Sequence, residues 1–354
     1  MRVLVAAGGS GGHVFPALAV LEELHMEGGH SLGWIGHPQG LEAKVVEKRP
    51  WIEFFPLVSR GLPRDRPWSW PEALLRNLRA VKEARRIMQR FKPDVVLAMG
   101  GYPAVAPVLA AKTLGIPVAL HEQNAVMGLA NRFLSNFSDL VLLGFPQVEG
   151  CPRHAKTLFT GTPVRREIAA IPRALGEEFL VLGGSLGSKA LLEAVVGMAP
   201  KLTEISDLKV RLVVGRAADP TEITRKLQKK GVHAEAHVFC ERVEELLARA
   251  RLVLTRAGGS TVAELACAGR PAILVPWEGA ANGHQLRNAE FLHKTGGFLL
   301  VRERELSFLA DLIAVLWSDT QRLERLGEAT RAQARPDAAR LVVEALKHLG
   351  KERA

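Results

Sequence analysis

The stretch Gly8-Gly9-Ser10-Gly11-Gly12-His13 follows an apolar segment at residues 2–7 and opens a helical segment. A second turn of this kind, Gly183-Gly184-Ser185-Leu186-Gly187-Ser188, follows the apolar run at residues 179–182. A glycine-rich junction between a strand and a helix directs backbone N–H groups and the positive end of a helix dipole at one spot, which suits a phosphate or diphosphate. The repeated junction predicts two similar α/β halves that face each other across a cleft.

Short apolar strands alternate with amphipathic helical segments along the chain. The predicted strands are residues 3–6, 31–35, 95–99, 118–120, 140–142, 157–160, 179–182, 210–214, 236–239, 252–255 and 272–275. Helices are predicted, among others, at residues 16–26, 71–90, 191–204 and 243–250. This alternation is typical of parallel sheets covered by helices on both faces. A domain boundary is predicted near residues 165–175, where the first series of strands ends.

Composition narrows the classes of protein that fit. The chain has 354 residues, of which 47% are hydrophobic and 24% charged, as expected for a soluble protein of two domains. Its apolar runs are shorter than the ~18 residues that span a bilayer, and residues 1–7 are expected to form a first strand, not a signal peptide. Three cysteines, Cys151, Cys240 and Cys267, lack metal-ligand spacing, which favours a reducing cytoplasm and predicts no zinc site.

Common nucleotide motifs are missing from both glycine turns. The dinucleotide pattern G-x-G-x-x-G fails at Val14, and no acid follows the second predicted strand at Gly36-His37 to hold a ribose. The sequence around Lys189 is not an ATP-binding P-loop, and no D-x-D pair is present to carry a metal on a sugar nucleotide. Nicotinamide chemistry and ATP hydrolysis are therefore disfavoured. Backbone amides and helix ends would have to stabilise a bound diphosphate.

His13 closes the first glycine turn at the start of a predicted helix. The positive end of that helix favours the neutral imidazole, which is the form that acts as a general base. A loop histidine that bonds to its own backbone is the alternative, and the spacing alone leaves both open.

Polar residues follow two neighbouring predicted strands. Tyr102, the only tyrosine, comes after Gly100-Gly101, and the strand at residues 118–120 runs into His121-Glu122-Gln123-Asn124. Side chains at the carboxyl ends of parallel strands line the crevice where ligands bind in open α/β sheets. These residues would suit a polyhydroxylated ligand, although a solvated loop can have the same composition.

A third glycine-containing turn, at residues 256–260, precedes Thr261 and Glu264. Their spacing is that of a capping box, so Glu264 would either cap its own helix or accept hydrogen bonds from the hydroxyls of a ribose. Further along, His284 and Gln285 begin a polar segment that could contact a sugar; by itself this signal is weak.

Basic charge is concentrated between residues 60 and 92, where ten Lys or Arg stand against three Asp or Glu. On a helical wheel of residues 71–90, Leu74, Leu78, Val81 and Met88 share a predicted core face. Another face of this helix carries Arg76, Arg79, Lys82, Arg86 and Arg90, with Leu75 among them and Trp68 and Trp70 just upstream. Cations interleaved with Trp and Leu indicate contact with a membrane surface, and an ordinary solvated basic face is the alternative.

Together and in this order, residues 8–16, Met99-Gly100-Gly101-Tyr102, His121–Asn124, residues 161–165 and Gly183-Gly184-Ser185 resemble the lipid I N-acetylglucosaminyltransferases of bacterial peptidoglycan synthesis. The resemblance covers essentially the whole chain. It implies an α/β GT-B fold, with two Rossmann-like parallel-sheet domains facing across a cleft. Residues 1–165 would bind the acceptor and the membrane, and residues 166–354 would bind UDP-GlcNAc, with the last helix able to pack back on the N-terminal domain.

The resemblance also implies the reaction. N-acetylglucosamine would pass from UDP-GlcNAc, with inversion, to the C4 hydroxyl of the MurNAc-pentapeptide of lipid I, giving lipid II and UDP. No cofactor and no metal is implied. The implied partners are UDP-GlcNAc, lipid I and the anionic surface of the bacterial inner membrane at its cytoplasmic face, where the protein would be peripheral; nucleic acid is not expected.

Roles follow from the positions that match the family. His13 would deprotonate the acceptor hydroxyl, with Glu122 left open as the alternative base. The acceptor would be lined by Tyr102, Glu122, Gln123 and Asn124. The donor side would consist of Ser10, Gly11, Gly12, Arg165, Ser185, Cys240, Thr261, Glu264, His284 and Gln285, the first three also facing the acceptor diphosphate. Membrane contact would come from Trp68, Trp70, Leu75, Arg76 and Arg79. Leu186 stands where the family commonly has Gln, which removes one expected donor contact.

Three rival functions fit parts of this pattern. A transferase acting from a UDP-sugar on another lipid would share the donor half, but its acceptor loop should not read His121–Asn124. A UDP-GlcNAc 2-epimerase of the same architecture would need no membrane patch. A nucleic-acid-binding protein would use the basic segment but would leave the glycine turns unexplained and offer few aromatic side chains for stacking.

Overall fold

The structure is a computed structural model that describes residues 1–59, 70–184 and 187–351; the side chains of residues 70–76 and 281 are not described. It divides into two compact units. Unit 1 comprises Met1–Arg165 together with Asp337–Ala354, and unit 2 comprises Arg166–Pro336. Each unit is built around one parallel sheet.

The sheet of unit 1 has seven strands, all paired in parallel, in the order β3-β2-β1-β4-β5-β6-β7. Their bounds are β1 Arg2–Ala6, β2 Ser31–Gly36, β3 Ile52–Pro56, β4 Val95–Ala98, β5 Val118–Glu122, β6 Leu140–Leu143 and β7 Thr157–Phe159. The strand order changes direction between β1 and β4. Open α/β sheets bind ligands beyond the carboxyl ends of the strands at such a switch point.

In the described residues, the α-helices of unit 1 are α1 Gly11–Glu27, α2 Leu41–Glu47, α3 Trp70–Phe91, α4 Val105–Thr113, α5 Leu129–Leu134 and, from the C-terminal segment, α15 Ala338–Lys351. Helix α15 packs against α1 and β4. Its buried residues Val342, Val343 and Leu346 join the core formed by α1 and one face of the sheet. The first and last helices of the chain therefore share one hydrophobic core.

Unit 2 has a sheet of six parallel strands in the order β10-β9-β8-β11-β12-β13, with the switch point between β8 and β11. Its strands are β8 Glu178–Leu182, β9 Lys209–Val213, β10 His233–His237, β11 Ala250–Thr255, β12 Ala272–Leu274 and β13 Leu299–Leu300. Its helices are α6 Arg166–Ala169, α7 Lys189–Gly197, α8 Ala199–Leu202, α9 Pro220–Gln228, α10 Val243–Arg249, α11 Gly259–Ala268, α12 His284–Lys294, α13 Leu309–Ser318 and α14 Thr320–Arg331.

Several predicted boundaries differ from the structure. Helix α1 begins at Gly11 and not at Pro16, which lies inside the helix. The proline is tolerated there because its fixed φ is that of a helix and its missing N–H removes one hydrogen bond near the helix start. Strands β3 and β13 were not predicted. The helix predicted at residues 191–204 is interrupted between α7 and α8, next to Pro200.

The predicted core face of α3 is wrong at Leu78, whose side chain is 58% exposed. Met88 is buried as predicted, and the other buried residues of the helix are Ala80, Ala84 and Phe91. Helix α3 packs closely on α4, so small alanine side chains occupy the contact while Leu78 lies on the outer surface with Arg79 and Lys82. No helix in the described part of the chain is both long enough and apolar enough to cross a membrane.

Candidate functional site

The site in unit 1 lies at the carboxyl ends of β1, β4 and β5. The turn after β1 carries His13 on the first turn of α1, where the backbone N–H groups of His13 and Val14 both donate to the Ser10 carbonyl at 3.1 Å. Ser10 precedes the helix in an extended conformation, and in the described residues its side chain makes no capping bond. The first-turn amides of Gly11 and Gly12 are thus oriented by the helix itself.

The tautomer of His13 follows from its hydrogen bond. Its Nδ1 lies 3.3 Å from the Gly8 carbonyl oxygen, which can only accept, so Nδ1 carries the proton and Nε2 keeps a lone pair. Loss of hydration lowers the pKa of His13 below its ordinary value, and the bond to Gly8 opposes this only in part. Neutral at physiological pH and with a basic Nε2, His13 has the properties of a general base.

The imidazole of His13 lies directly over the backbone of Gly101. A Cβ atom at Gly101 would lie 3.2 Å from Cε1 of His13, and the φ of +71° at this glycine is unfavourable for other residues. The Gly101 N–H donates to Oδ1 of the buried Asn131 at 3.3 Å, and this bond holds the turn in place.

Changing Gly101 to alanine should lower kcat by about 100-fold, because the new methyl group would displace the imidazole of His13, the predicted base. Gly115 is a control for an alanine at positive φ: its φ is +64° and no atom lies within 4 Å of a Cβ built there. Gly115→Ala should lose about 1–2 kcal/mol of stability from the left-handed backbone, with nearly unchanged kcat. Equal kcat in the two variants would contradict a role in turnover for the contact between His13 and Gly101.

His121, at the end of β5, is completely buried and its Nε2 donates to the Gly161 carbonyl at 3.0 Å. Burial lowers the pKa of His121 to about 4, helped by the neighbouring His13. Within the described residues its Nδ1 has no hydrogen-bond partner. His121 therefore stays neutral and ties β5 to the segment after β7.

Glu122 is the centre of a buried hydrogen-bond network. Its Oε1 accepts from the backbone N and the side-chain Nδ2 of Asn124, at 3.0 and 3.1 Å, and its Oε2 accepts from Gly128 N at 3.0 Å and Asn131 Nδ2 at 2.8 Å. Burial raises the pKa of Glu122, while the four donors act in the opposite direction. With both oxygens occupied, Glu122 is arranged to hold the loop after β5, which favours His13 over Glu122 as the base.

The four predicted acceptor residues differ in how far their side chains are exposed. Gln123 is buried, and its Nε2 donates to the Met99 carbonyl at 2.9 Å. The side chains of Glu122 and Gln123 are both hydrogen-bonded inside the protein, so their direct contact with an acceptor stays a prediction. Asn124 is partly buried, and Tyr102 is 45% exposed, with its ring edge near Gly9. Of the four predicted acceptor residues, Tyr102 and Asn124 have the more accessible side chains.

Arg165, a predicted donor contact, is the last residue of unit 1 before the chain enters unit 2. Its guanidinium lies 4.8 Å from the centre of the Phe15 ring on α1, close enough for a cation–π interaction. The contact places a buried positive charge beside the first turns of α1.

In unit 2, the turn after β8 joins the sheet to α7. Gly183 N donates to the Val213 carbonyl, and Gly187 N to the Gly184 carbonyl, at 2.8 and 3.1 Å. Ser188 ends the turn and caps α7 by accepting from Leu191 N at 3.3 Å. The predicted donor residue Ser185, like Leu186, lies outside the described residues.

The capping-box interpretation of Thr261 and Glu264 is wrong. Helix α11 begins at Gly259 with Gly258 as its N-cap, so Thr261 is the third helical residue and Glu264 the sixth. Both side chains are partly buried. Without a capping function at this position, Glu264 is consistent with the other interpretation, recognition of a ribose.

The remaining predicted donor residues also lie at the carboxyl edge of this sheet. His284 is the first residue of α12, and Oε1 of Gln285 accepts from the Trp277 backbone N–H at 2.9 Å. Cys240 is partly exposed and lies between β10 and α10. Trp277 itself is 49% exposed.

Three residues whose side chains join segments of the candidate sites were given no role from the sequence. Asn131 bridges Gly101 and Glu122, and Asn288 Nδ2 donates to the Ala257 carbonyl at 2.9 Å, joining α12 to the turn before α11. Arg256 donates to Ser188, to Val275 and to Glu303. Two of the three had a sequence signal: Arg256 directly precedes the glycines of the third turn, and Asn288 lies in the polar segment that begins at His284.

No group of three His, Cys, Asp or Glu side chains that could hold a metal ion is found in residues 1–59, 70–184 and 187–351. Nε2 of His13 is suited to proton transfer. The backbone N–H groups at the carboxyl ends of the strands in both sheets are suited to binding anionic oxygens.

Two Rossmann-like parallel-sheet units with polar sites at their switch points define a two-domain α/β glycosyltransferase of the GT-B class, as predicted. Residues 3–143 match the glycosyltransferase family 28 N-terminal domain, and residues 179–343 match the family 28 C-terminal domain. The chain belongs to the UDP-N-acetylglucosamine–N-acetylmuramyl-(pentapeptide) pyrophosphoryl-undecaprenol N-acetylglucosamine transferase family.

Relatives of that name cover nearly the whole chain. The protein from Nitratidesulfovibrio vulgaris strain Hildenborough is 40% identical over 98% of this chain and 97% of its own length. The Geobacter metallireducens protein is 34% identical over 97% of both chains. The crystal structure of Acinetobacter baumannii MurG superposes with a TM-score of 0.75 at 30% identity, covering 98% of this chain and 99% of that one. A putative UDP-N-acetylglucosamine 2-epimerase from Listeria monocytogenes, with a TM-score of 0.69 and 15% identity over 99% of this chain and 97% of that one, shares the fold.

Proposed function

We propose that this chain transfers N-acetylglucosamine from UDP-GlcNAc to the C4 hydroxyl of the MurNAc-pentapeptide of lipid I, giving lipid II and UDP. The observation that carries the proposal is the geometry of His13, whose Nδ1 proton is held by Gly8 so that Nε2 can accept a proton. Family membership over nearly the full length supports the same donor and acceptor.

In the proposed reaction, Nε2 of His13 takes the proton of the acceptor hydroxyl as its oxygen attacks the anomeric carbon of the donor sugar. The bond from that carbon to the UDP phosphate oxygen breaks, and UDP leaves with inversion at the sugar. The departing phosphate gains negative charge, which the first-turn amides at a helix N-terminus can stabilise by roughly 3–4 kcal/mol for each well-aimed donor.

The remaining residue roles are proposals of the same kind. Tyr102 and Asn124 would contact the acceptor, and Ser10, Gly11 and Gly12 would bind its diphosphate and face the donor phosphates. Arg165, Ser185, Cys240, Thr261, Glu264, His284 and Gln285 would contact the donor. Glu264 would accept from the ribose hydroxyls, and the NH₂ of Gln285, whose Oε1 is already bonded to Trp277 N, would donate to an oxygen of the sugar.

The direct test is UDP release from UDP-GlcNAc with and without a lipid I analogue. Release that depends on the acceptor, with a product heavier by one N-acetylglucosamine, is the expected result. Release or sugar isomerisation in the absence of lipid would contradict the transferase and favour a hydrolase or an epimerase.

We also propose that the protein docks peripherally on the cytoplasmic face of an anionic membrane through α3. Arg79, Lys82 and Arg86 are exposed on this helix beside the exposed Leu78, a mixture of charge and apolar surface that suits a lipid headgroup region. Trp68 lies outside the described residues, as do the side chains of Trp70, Leu75 and Arg76, so their part in docking stays a prediction.

Replacing Arg79, Lys82 and Arg86 together by glutamine should weaken binding to vesicles containing anionic lipid by about 100-fold, since each cation near such a surface contributes about 1 kcal/mol. Co-sedimentation with vesicles measures the effect. The same triple change at Arg225, Lys229 and Lys230, exposed in and after α9 of unit 2, is the control. Equal losses in both triples would show that net charge alone governs binding and would refute a docking face on α3.

A further inference from the structure

A single guanidinium connects three segments at the carboxyl edge of the sheet in unit 2. Arg256 follows β11 and donates from Nε to Ser188 Oγ at 3.0 Å, from Nη1 to the Val275 carbonyl at 3.1 Å and from Nη2 to Glu303 Oε1 at 2.6 Å. Ser188 ends the glycine turn after β8, Val275 directly follows β12, and Glu303 follows β13. All three guanidinium nitrogens are therefore bonded within the protein.

The bond to Ser188 reaches the glycine turn itself. Ser188 is 6% exposed, and its single hydroxyl oxygen accepts both from Arg256 Nε and from Leu191 N, the capping bond of α7. Displacement of the guanidinium would therefore disturb the end of the turn and the first turn of α7 together. These are the groups that the sequence predicts to bind a diphosphate.

Glu303 determines where the guanidinium lies. The Arg256 and Glu303 side chains are 12% and 25% exposed, so their short ion pair is shielded from much of the screening that weakens surface pairs. Arg256 also stands near the positive end of α7, which repels a cation. The carboxylate of Glu303 offsets that repulsion and keeps Arg256 bonded to Ser188.

We propose that Glu303 is a positioning residue for donor binding, acting through Arg256 on Ser188 and the first turn of α7. This inference rests on the proposed function in one respect, that the N-terminal end of α7 binds the diphosphate of the UDP donor. Glu303 does not touch the donor. It keeps Ser188 and the first turn of α7 in the geometry that the donor needs, so its loss should raise the KM for UDP-GlcNAc and leave kcat nearly unchanged.

The experiment is a double-mutant cycle read by calorimetric UDP binding to the full chain, with thermal unfolding as the check on folding. Glu303→Ala should weaken UDP binding by at least about tenfold, and Glu303→Gln, which keeps an acceptor oxygen but not the charge, by about fivefold. In an Arg256→Ala background, Glu303→Ala should cause no further loss, because the residue through which it acts is gone. Asp311→Asn, which breaks an exposed ion pair with Lys201 in the same unit, should leave UDP binding unchanged.

Two results would overturn the inference while leaving the proposed function intact. One is wild-type UDP affinity in Glu303→Gln, a test that holds even if the alanine variant does not fold. The other is an equal loss from Glu303→Ala with and without Arg256, which would mean that Glu303 acts by another route. Failure of the wild-type protein to bind UDP would instead contradict the proposed function.

Discussion

Replacement of His13 by alanine should lower kcat by about 10²–10⁴-fold, the usual contribution of a general base, while UDP binding remains near the wild-type value. The reason is local: only Nε2 of His13 is proposed to accept the acceptor proton, and the Gly8 bond fixes its orientation. His25→Ala is the control on the same helix, because His25 stacks on Trp51 at the far end of α1. Turnover like that of the wild type in His13→Ala would exclude His13 as the base.

The pH profile gives an independent check on His13. A base must be unprotonated to act, so kcat/KM should fall only when the pH drops below the pKa of His13. Since loss of hydration lowers that pKa, the acid limb should lie below about 6.5, the ordinary value for histidine. The limb should disappear in His13→Ala. An acid limb at or above the ordinary value would mean that the imidazole is more hydrated than the structure indicates.

Glu122→Gln should lower the free energy of unfolding by about 3–5 kcal/mol, although it is nominally conservative. All four partners of the carboxylate are N–H groups. A glutamine has one NH₂ group, which would face two of these donors whichever way the amide is turned. Two buried donors would lose their acceptor, and the loop that carries Asn124 would loosen.

Urea unfolding measures the change for the whole chain, and amide hydrogen exchange at Asn124 and Gly128 measures it locally. Glu53→Gln is the matched control, since Glu53 is half exposed and pairs with Arg90 on the surface, where a salt bridge contributes at most about 1 kcal/mol. A Glu122→Gln protein as stable as the control would contradict a carboxylate held by four donors.

The parts of the fold that depend on local patterns were predictable. The apolar runs predicted strands β1, β8 and β11 to within two residues at each end. The glycine turns after β1 and β8 lie at the switch points of the two sheets, where the backbone has to turn sharply. The predicted start of α1 at Pro16 was too late, because proline is common at the first position of a helix. Leu78 was misassigned because hydrophobicity does not report how closely two helices approach; Ala80 and Ala84 were buried by the proximity of α4.

The parts of the site that depend on distant pairs were not predictable. Asn131 lies 30 residues from Gly101, and Arg256 lies 47 residues from Glu303, so neither pair leaves a local signature. Glu42 is a further example: on α2 it resembles a surface acid, yet it is fully buried and accepts from His37 N at 2.8 Å. The sequence motif identified Glu122 and Gln123 as candidate site residues, but it could not show that their side chains are buried and bonded inside the protein.

The return of α15 to the core of unit 1 has a consequence for how the protein is made. The helix that carries His13 is translated long before Val342, Val343 and Leu346, which lie in the same hydrophobic core and cover its apolar face. During synthesis, unit 2 can complete its own core before unit 1 does. His13, the proposed base, would therefore acquire its final surroundings only after α15 has been translated, and a ribosome stalled before residue 338 would hold a nascent chain whose α1 core residues lack this cover.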